Sequence, residues 1–315
     1  MLSHMTHRLI ACALISASAF SLSSCGSDSE LPVMAGNTQA AANEGEQLYQ
    51  KAKQADDAGK AGKAIKLYDE TATRFPFAPS AAQARFRQAQ LLEQQGEIMK
   101  SFEAYDQFLS RFQGSGLYTT ALNRQIALAQ SAADGDVKSS MMGLKTRLSL
   151  EKTVEMLGKV RKNAPMAPSA SKAQFTIGRL YEGKKKSKEA IGAYRELVRD
   201  QPGSAEAPES MFRIGLILTE EADRGNQNQA NLDLAREAFN DYLIQYPGHS
   251  RNGEARKLVA NLGGRDFQRS YDIAEFYQKT GKTESAKVYY RDIVKRAPSG
   301  ALHDKARARL RELGE

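Results

Sequence analysis

Along most of the chain, apolar positions recur three and four residues apart, the spacing of a helix that buries one face. Phe175, Gly178 and Tyr181 share such a face, as do Tyr271, Ala274 and Tyr277. A longer regularity overlies this one. A small residue is followed four positions on by a bulky one, and eight further on by a chain-breaking one. Ala64, Tyr68 and Pro76 obey it, as do Ala190, Tyr194 and Pro202; Ala235, Phe239 and Pro247; and Ala286, Tyr290 and Pro298. Thr153, Leu157 and Pro165 follow with weaker residues, and Ser101, Tyr105 and Gln113 follow with Gln-Gly replacing the proline. Positions four apart share a helix face, so the small residue admits a neighbouring helix while the bulky one fills the groove beside it. Proline then closes the helix.

A partner helix is expected about twelve residues upstream of each anchor, with Gly59, Gly96 and Gly281 marking the turns between the two. The predicted unit is a helical hairpin of about 34 residues. One hairpin cannot bury its own apolar face, so neighbours must stack into a solenoid with a concave side. Anchor spacings of 37, 52, 37, 45 and 51 residues leave additional chain near 131–150, 221–234 and 249–268. Met141, Met142, Leu144 and Leu148 predict that part of the first addition continues as helix. The second is polar and reads as a surface loop, and the third reads as an additional helix leading into the last hairpin.

The small, aromatic, glycine and proline positions resemble the tetratricopeptide repeat. They fall at Gly178, Tyr181, Ala190, Tyr194 and Pro202, and at Ala274, Tyr277, Gly281, Ala286, Tyr290 and Pro298. The resemblance implies an all-α, right-handed solenoid of five to six hairpins over residues 45–315.

The N-terminus has a different grammar. Residues 1–24 carry one charge, Arg8, followed by an apolar run from Leu9 to Ile15 and a Ser/Ala stretch, the pattern of an export signal. It is too short and too Ser/Ala-rich to span a membrane comfortably. Leu22-Ser23-Ser24-Cys25-Gly26 resembles a bacterial lipobox, which implies cleavage before Cys25 and its acylation with palmitate-class chains. Leu9-Ile10-Ala11-Cys12 has a similar pattern without a preceding apolar run, so Cys12 is expected to leave with the signal. An ordinary secretory signal with an incidental Cys25 is the alternative. Two or more acyl chains hold a protein to a bilayer firmly. Gly26, where enterobacterial inner-membrane lipoproteins carry Asp, implies the periplasmic face of the outer membrane. Residues 25–44 lack periodicity and read as a lipidated flexible tether.

The chemistry of the chain is sparse. Four His and two Cys disfavour a zinc cluster, and the common phosphate-loop, dinucleotide, metalloprotease and nucleophile-elbow patterns do not occur. The pair Asp56/Asp57 falls in an expected turn, and no nucleophile–base spacing stands out. The expectation is a non-catalytic protein without cofactor. His249 and His303 are isolated, and Lys184-Lys185-Lys186 with Lys188 reads as a solvated turn.

Two surfaces are candidates for binding. An aromatic recurs three residues before the small position of each first helix, at Tyr49, Phe86, Phe175, Phe212 and Tyr271. Such a stripe either lines the concave face or fills gaps between hairpins. On the first reading Tyr49, Phe86 and Gln90, with Lys53 and Gln83 nearby, form a peptide groove. The second surface is basic. The chain has 45 Lys+Arg and 37 Asp+Glu, formally +8, and loss of Arg8 with the signal leaves +7. Nine basic and three acidic residues between 282 and 311 place +6 of it in the last repeat and its cap. Arg291, Lys295, Arg296, Arg307 and Arg309 are the candidate docking patch. It suits an acidic partner domain, anionic lipid or simply a solvated end cap. Nucleic acid is not expected for an exported chain.

The stretch Tyr246-Pro247-Gly-His-Ser250, then Glu254-Ala255, then Tyr271 through Gly281 and Ser285-Ala286 onward, is similar to the BamD family of outer-membrane lipoproteins. That resemblance implies a scaffold of the β-barrel assembly machinery. Its partners would be the barrel assembly subunit, other assembly lipoproteins and unfolded barrel substrates received by the N-terminal repeats. The 131–150 addition and the missing proline of the second repeat depart from that pattern. They leave open a periplasmic coordinator of peptidoglycan or trans-envelope machinery.

Overall fold

The computed structural model describes residues 38–141, 144–224 and 229–315. The signal, the lipobox and Cys25 lie outside the described residues. Among these, thirteen helices form six hairpins and a cap. The hairpins are α1 (Thr38–Asp57) with α2 (Ala61–Arg74), α3 (Ala81–Gln94) with α4 (Ile98–Arg111), and α5 (Tyr118–Asp134) with α6 (Leu150–Asn163). Then come α7 (Pro168–Gly183) with α8 (Ser187–Asp200), α9 (Ala207–Arg224) with α10 (Gln229–Gln245), and α11 (Asn252–Lys279) with α12 (Thr283–Arg296). The cap is α13 (Ala301–Glu312). Each helix packs on its neighbours in sequence, and α1 touches α3, α5 touches α7 and α7 touches α9. This is the nearest-neighbour order of a solenoid.

The anchor residues are the core. Ala64, Ser101, Ala190, Ala235 and Ala286 are fully buried, as are Tyr105, Tyr194, Phe239 and Tyr290. The rings seat on small residues of the first helix. A Cβ on Gly178 would stand 2.4 Å from the Tyr194 ring, and one on Gly215 would stand 2.6 Å from Phe239. Gly59, Gly96 and Gly281 hold φ of +68°, +76° and +76° in the turns between helices, and Lys185 takes the same place at +55°. The five prolines at 76, 165, 202, 247 and 298 all stand between hairpins.

Four expectations are corrected. The tether does not reach residue 44, because α1 begins at Thr38. The run Ala40-Ala41-Ala42 favours helix, and Gly45 lets α1 dock against Phe75 and Ala78, where a Cβ would stand 2.6 Å and 2.7 Å away. The 131–150 addition leaves the helix after Asp134, and its Met141–Leu148 part does not continue as helix. Gly135, at φ +83°, caps α5, and the chain turns into an antiparallel hairpin of β1 (Lys138–Met141) and β2 (Leu144–Arg147), with Lys138 opposite Arg147. Much of 221–234 is helical, since α9 runs to Arg224 and α10 starts at Gln229. Buried Ala222 and Leu232 hold those ends to the core. The third addition is no separate helix: it is the first half of α11, with 28 residues in one helix. Ala255 and Leu262 join the fifth hairpin's core, while Tyr271 and Ala274 join the sixth.

The close approaches predict opposite signs for two glycine substitutions. Gly178→Ala drives a methyl into the Tyr194 ring and should cost about 1–3 kcal/mol in thermal or urea unfolding. Gly158→Ala, within α6 and with no atom near its added Cβ, should stabilise by about 0.5–1 kcal/mol. Equal effects would contradict the packing described.

Candidate binding groove and inter-repeat latches

The anchor tyrosines do more than fill space. Their hydroxyls reach a carboxylate near the end of the first helix of the same hairpin: Tyr68 to Asp56 at 3.3 Å, Tyr105 to Glu93 at 3.4 Å and Tyr194 to Glu182 at 2.7 Å. Each carboxylate also accepts from an arginine on the first helix of the next hairpin. Arg87 grips Asp56 through Nε at 2.7 Å and Nη2 at 3.1 Å, Arg124 grips Glu93, and Arg213 grips Glu182 at 3.0 Å. The spacing is fixed: acid, tyrosine at +12, arginine at +31. The result is a latch that ties one hairpin to the next with charge-assisted bonds. In the last hairpin Tyr290 meets Gln278 at 2.9 Å instead. Arg309 stands at the latch position there and turns to Glu312 at 2.7 Å and Glu275 at 3.8 Å.

Burial pushes the tyrosine hydroxyls up, to about 12 for Tyr105, where nearby Glu93 adds to it, and to about 12 for Tyr290. They stay protonated and act as donors. The hydrogen bond from Arg87 holds the Asp56 carboxyl below its ordinary value.

The aromatic that recurs in five of the six first helices also belongs to this core. Tyr49 lies 5.7 Å from Tyr68, Phe86 5.8 Å from Tyr105, Phe175 5.7 Å from Tyr194, Phe212 5.3 Å from Phe239 and Tyr271 5.4 Å from Tyr290. Phe86 is only 8% exposed and also meets Phe108 edge-on. The stripe is therefore chiefly packing, and a free row of rings for a guest is not what it forms. Even so, the structure brings Tyr49, Phe86 and Gln90 together. They line one groove of about 480 Å³ with Lys53, Gln83 and the tip of α5 at Leu117. The latch pair Asp56 and Arg87 also lines it. Gln90 accepts from Arg87 through Oε1 at 3.2 Å, which leaves its amide hydrogens as donors. Lys53 and Gln83 are exposed, and Lys53 makes no ion pair among the described residues. The groove thus offers amide groups to an extended backbone and one free cation.

The basic patch is less open than its count suggests. Arg291 pairs with Glu315, Arg296 with Asp292 at 2.9 Å and Asp266 at 2.5 Å, and Arg309 with the two carboxylates above. Arg296 and Arg309 tie α12 and α13 back to α11. Lys295 and Arg307 are exposed and, among the described residues, make no ion pair. Two of the five candidate cations are therefore free for a partner. Also among the described residues, no three His, Cys, Asp or Glu gather as metal ligands, and no helix is long and apolar enough to cross a membrane.

Stacked hairpins with small–aromatic seats define a helical-repeat scaffold. Tetratricopeptide-repeat models match residues 49–116, 172–204 and 268–299. Over those stretches the chain carries tetratricopeptide repeats, a unit that scaffolds protein–protein interactions. Among solved structures it is similar to pilF of Pseudomonas aeruginosa, at 14% identity over 86% of this chain and 100% of that one, TM-score 0.31. It is also similar to the C-terminal part of a TPR repeat-containing protein from Cytophaga hutchinsonii, at 12% identity over 83% and 87%, TM-score 0.34. MamA from Desulfovibrio magneticus RS-1 aligns at 14% identity over 65% and 97%, TM-score 0.28. No curated protein matches this chain.

The latch makes two predictions. A double-mutant cycle on Glu182→Gln and Arg213→Ala should show coupling of about 0.5–3 kcal/mol, and additive losses would contradict it. The lowered Asp56 value stabilises the fold above the ordinary carboxyl range, near 3.9. That contribution fades as pH falls through the folded value. Asp56→Asn should therefore flatten the loss of urea stability below about pH 4; an unaltered acid limb would refute the assignment.

Proposed function

We propose that this protein is a lipid-anchored scaffold at the periplasmic face of the outer membrane. On this reading it serves assembly of β-barrel proteins, holding the barrel assembly subunit and extended segments of unfolded barrel substrates. The observation that carries the reading is the groove of the first two repeats, where Tyr49, Lys53, Gln83 and Gln90 meet at the N-terminal end of the solenoid. Its amide donors and acceptors suit a backbone without secondary structure of its own. The lipobox at Cys25 supports the location. Lys295 and Arg307, which make no ion pair among the described residues, supply the attraction for an acidic partner domain, which speeds encounter more than it tightens the complex.

Purification in mild detergent should bring along a large barrel protein with periplasmic domains, and depletion should lower folded barrels in the outer membrane. Normal barrels with defective septation or wall growth would replace this reading with the cell-wall coordinator. For the groove, Lys53→Ala with Gln90→Ala should cut crosslinking to extended barrel segments several-fold while the melting curve stays unchanged. Phe86→Ala is unsuitable because it opens the core. Charge reversal at Lys295 and Arg307 should slow association with the assembly subunit and weaken its salt dependence; unchanged kinetics would remove the patch from the reading.

A further inference from the structure

The third hairpin departs furthest from the rule kept by the first, second and fourth, because it lacks the anchor ring as well as the latch. Counting from the latch acids Glu93 and Glu182, the acid position of the third hairpin holds Gln130 and the arginine position Thr176. The anchor tyrosine is replaced by Leu157. The aromatic of the first helix is replaced by Asn123. One turn beyond the anchor, Phe108 of the second hairpin gives way to Val160. No latch can form here, and three rings are missing from a place where the neighbouring hairpin has Phe86, Tyr105 and Phe108.

Space opens beside two of those three positions, Leu157 and Val160. A pocket of about 320 Å³ stands between α5, α6 and α7, with Leu157 and Val160 among its walls and Ile126, Ala129 and Ala173 completing an apolar lining. A dry cavity of about 150 Å³ lined by apolar side chains already holds a benzene ring. The pocket is open, so a guest can enter from outside. Its rim is polar. Gln130 occupies the register that receives the tyrosine hydroxyl in the latched repeats. The Ser169 Oγ is buried and has no hydrogen-bond partner among the described residues. Lys172 is exposed and makes no ion pair there. It falls at the register of Gln83, so the pocket opens on the face that carries the groove of the first two repeats.

We infer that this pocket receives one aromatic side chain from an extended partner peptide, with a carboxylate beside that residue meeting Lys172. The guest ring takes the place of the absent anchor, on the apolar walls of α5–α7. The site goes beyond the assembly reading and does not depend on it. It lies apart from Lys53 and Gln90, so a groove variant leaves it intact.

The test uses the full chain and a fluorescein-labelled Gly/Ser decapeptide with one phenylalanine between two aspartates, read by fluorescence polarisation. Replacing the phenylalanine by alanine should weaken binding at least tenfold, and replacing both aspartates by asparagine should weaken it several-fold. Leu157→Tyr restores the anchor ring, so it should abolish the aromatic preference, and Lys172→Gln should abolish the aspartate preference. Lys53→Ala with Gln90→Ala should change neither. Equal binding of the phenylalanine and alanine peptides overturns the site, as does an aromatic preference that survives Leu157→Tyr in a folded protein. Should Leu157→Tyr fail to fold, a benzoylphenylalanine version of the peptide is photocrosslinked to the unaltered chain. Adducts on α5, α6 or α7 support the pocket; adducts only elsewhere overturn it.

Discussion

The structure depends on how closely two helices of a hairpin can approach. A helix that presents Gly178 or Ala274 leaves room for a ring from its partner, and Tyr194 or Tyr290 fills that room. Burying such a ring contributes about 1.5–3 kcal/mol, more than any exposed ion pair in the molecule. The described residues include no cysteine, so their order comes from repeated packing. Because each hairpin is too thin to shelter its own apolar face, the rings of one repeat become the floor on which the next is laid.

The latches add direction to that stack. The tyrosine hydroxyl cannot be left bare inside the core, and the carboxylate that accepts from it would be costly there without a countercharge. The next repeat supplies the arginine. One polar requirement at the anchor is thus met by the neighbour, which fixes which faces meet and in what register. The same logic explains the C-terminal end. Gln278 needs no arginine, so Arg309 is released to Glu275 and Glu312 and fastens the capping helix instead.

Much of the fold was legible because a small residue, a ring and a proline at fixed offsets leave a strong period. Ala64, Tyr68 and Pro76 announce a hairpin without help from tertiary contacts. The boundaries of the additions were less legible. Nothing local separates a helix over Met141–Leu148 from a hairpin until Gly135 is known to adopt a positive φ, and a loop near 225 looks polar whether or not its flanks are held by Ala222 and Leu232. In the binding surfaces, residue type was readable and availability was not. Phe86 carries the pattern of a groove residue, yet its ring is spent on Tyr105 and Phe108. Arg291, Arg296 and Arg309 count as surface charge but each has a carboxylate across the fold. The latch could have been found in advance, since acid, tyrosine and arginine repeat at the same intervals in three hairpins.

Hairpins one, two and four each bind the next through ring and latch, whereas the third joins the fourth through apolar side chains and scattered polar bonds such as Arg161 to Gln174 at 2.7 Å and Arg161 to Glu196 at 2.6 Å. Stability should therefore be uneven along the rod. Native-state hydrogen exchange on the full chain measures this directly. The account predicts the slowest amides in α3, α4, α8 and α9, where latched neighbours meet, and distinctly faster exchange in α6 beside the missing anchor. Uniform protection across all six hairpins, or slowest exchange in α6, would contradict it.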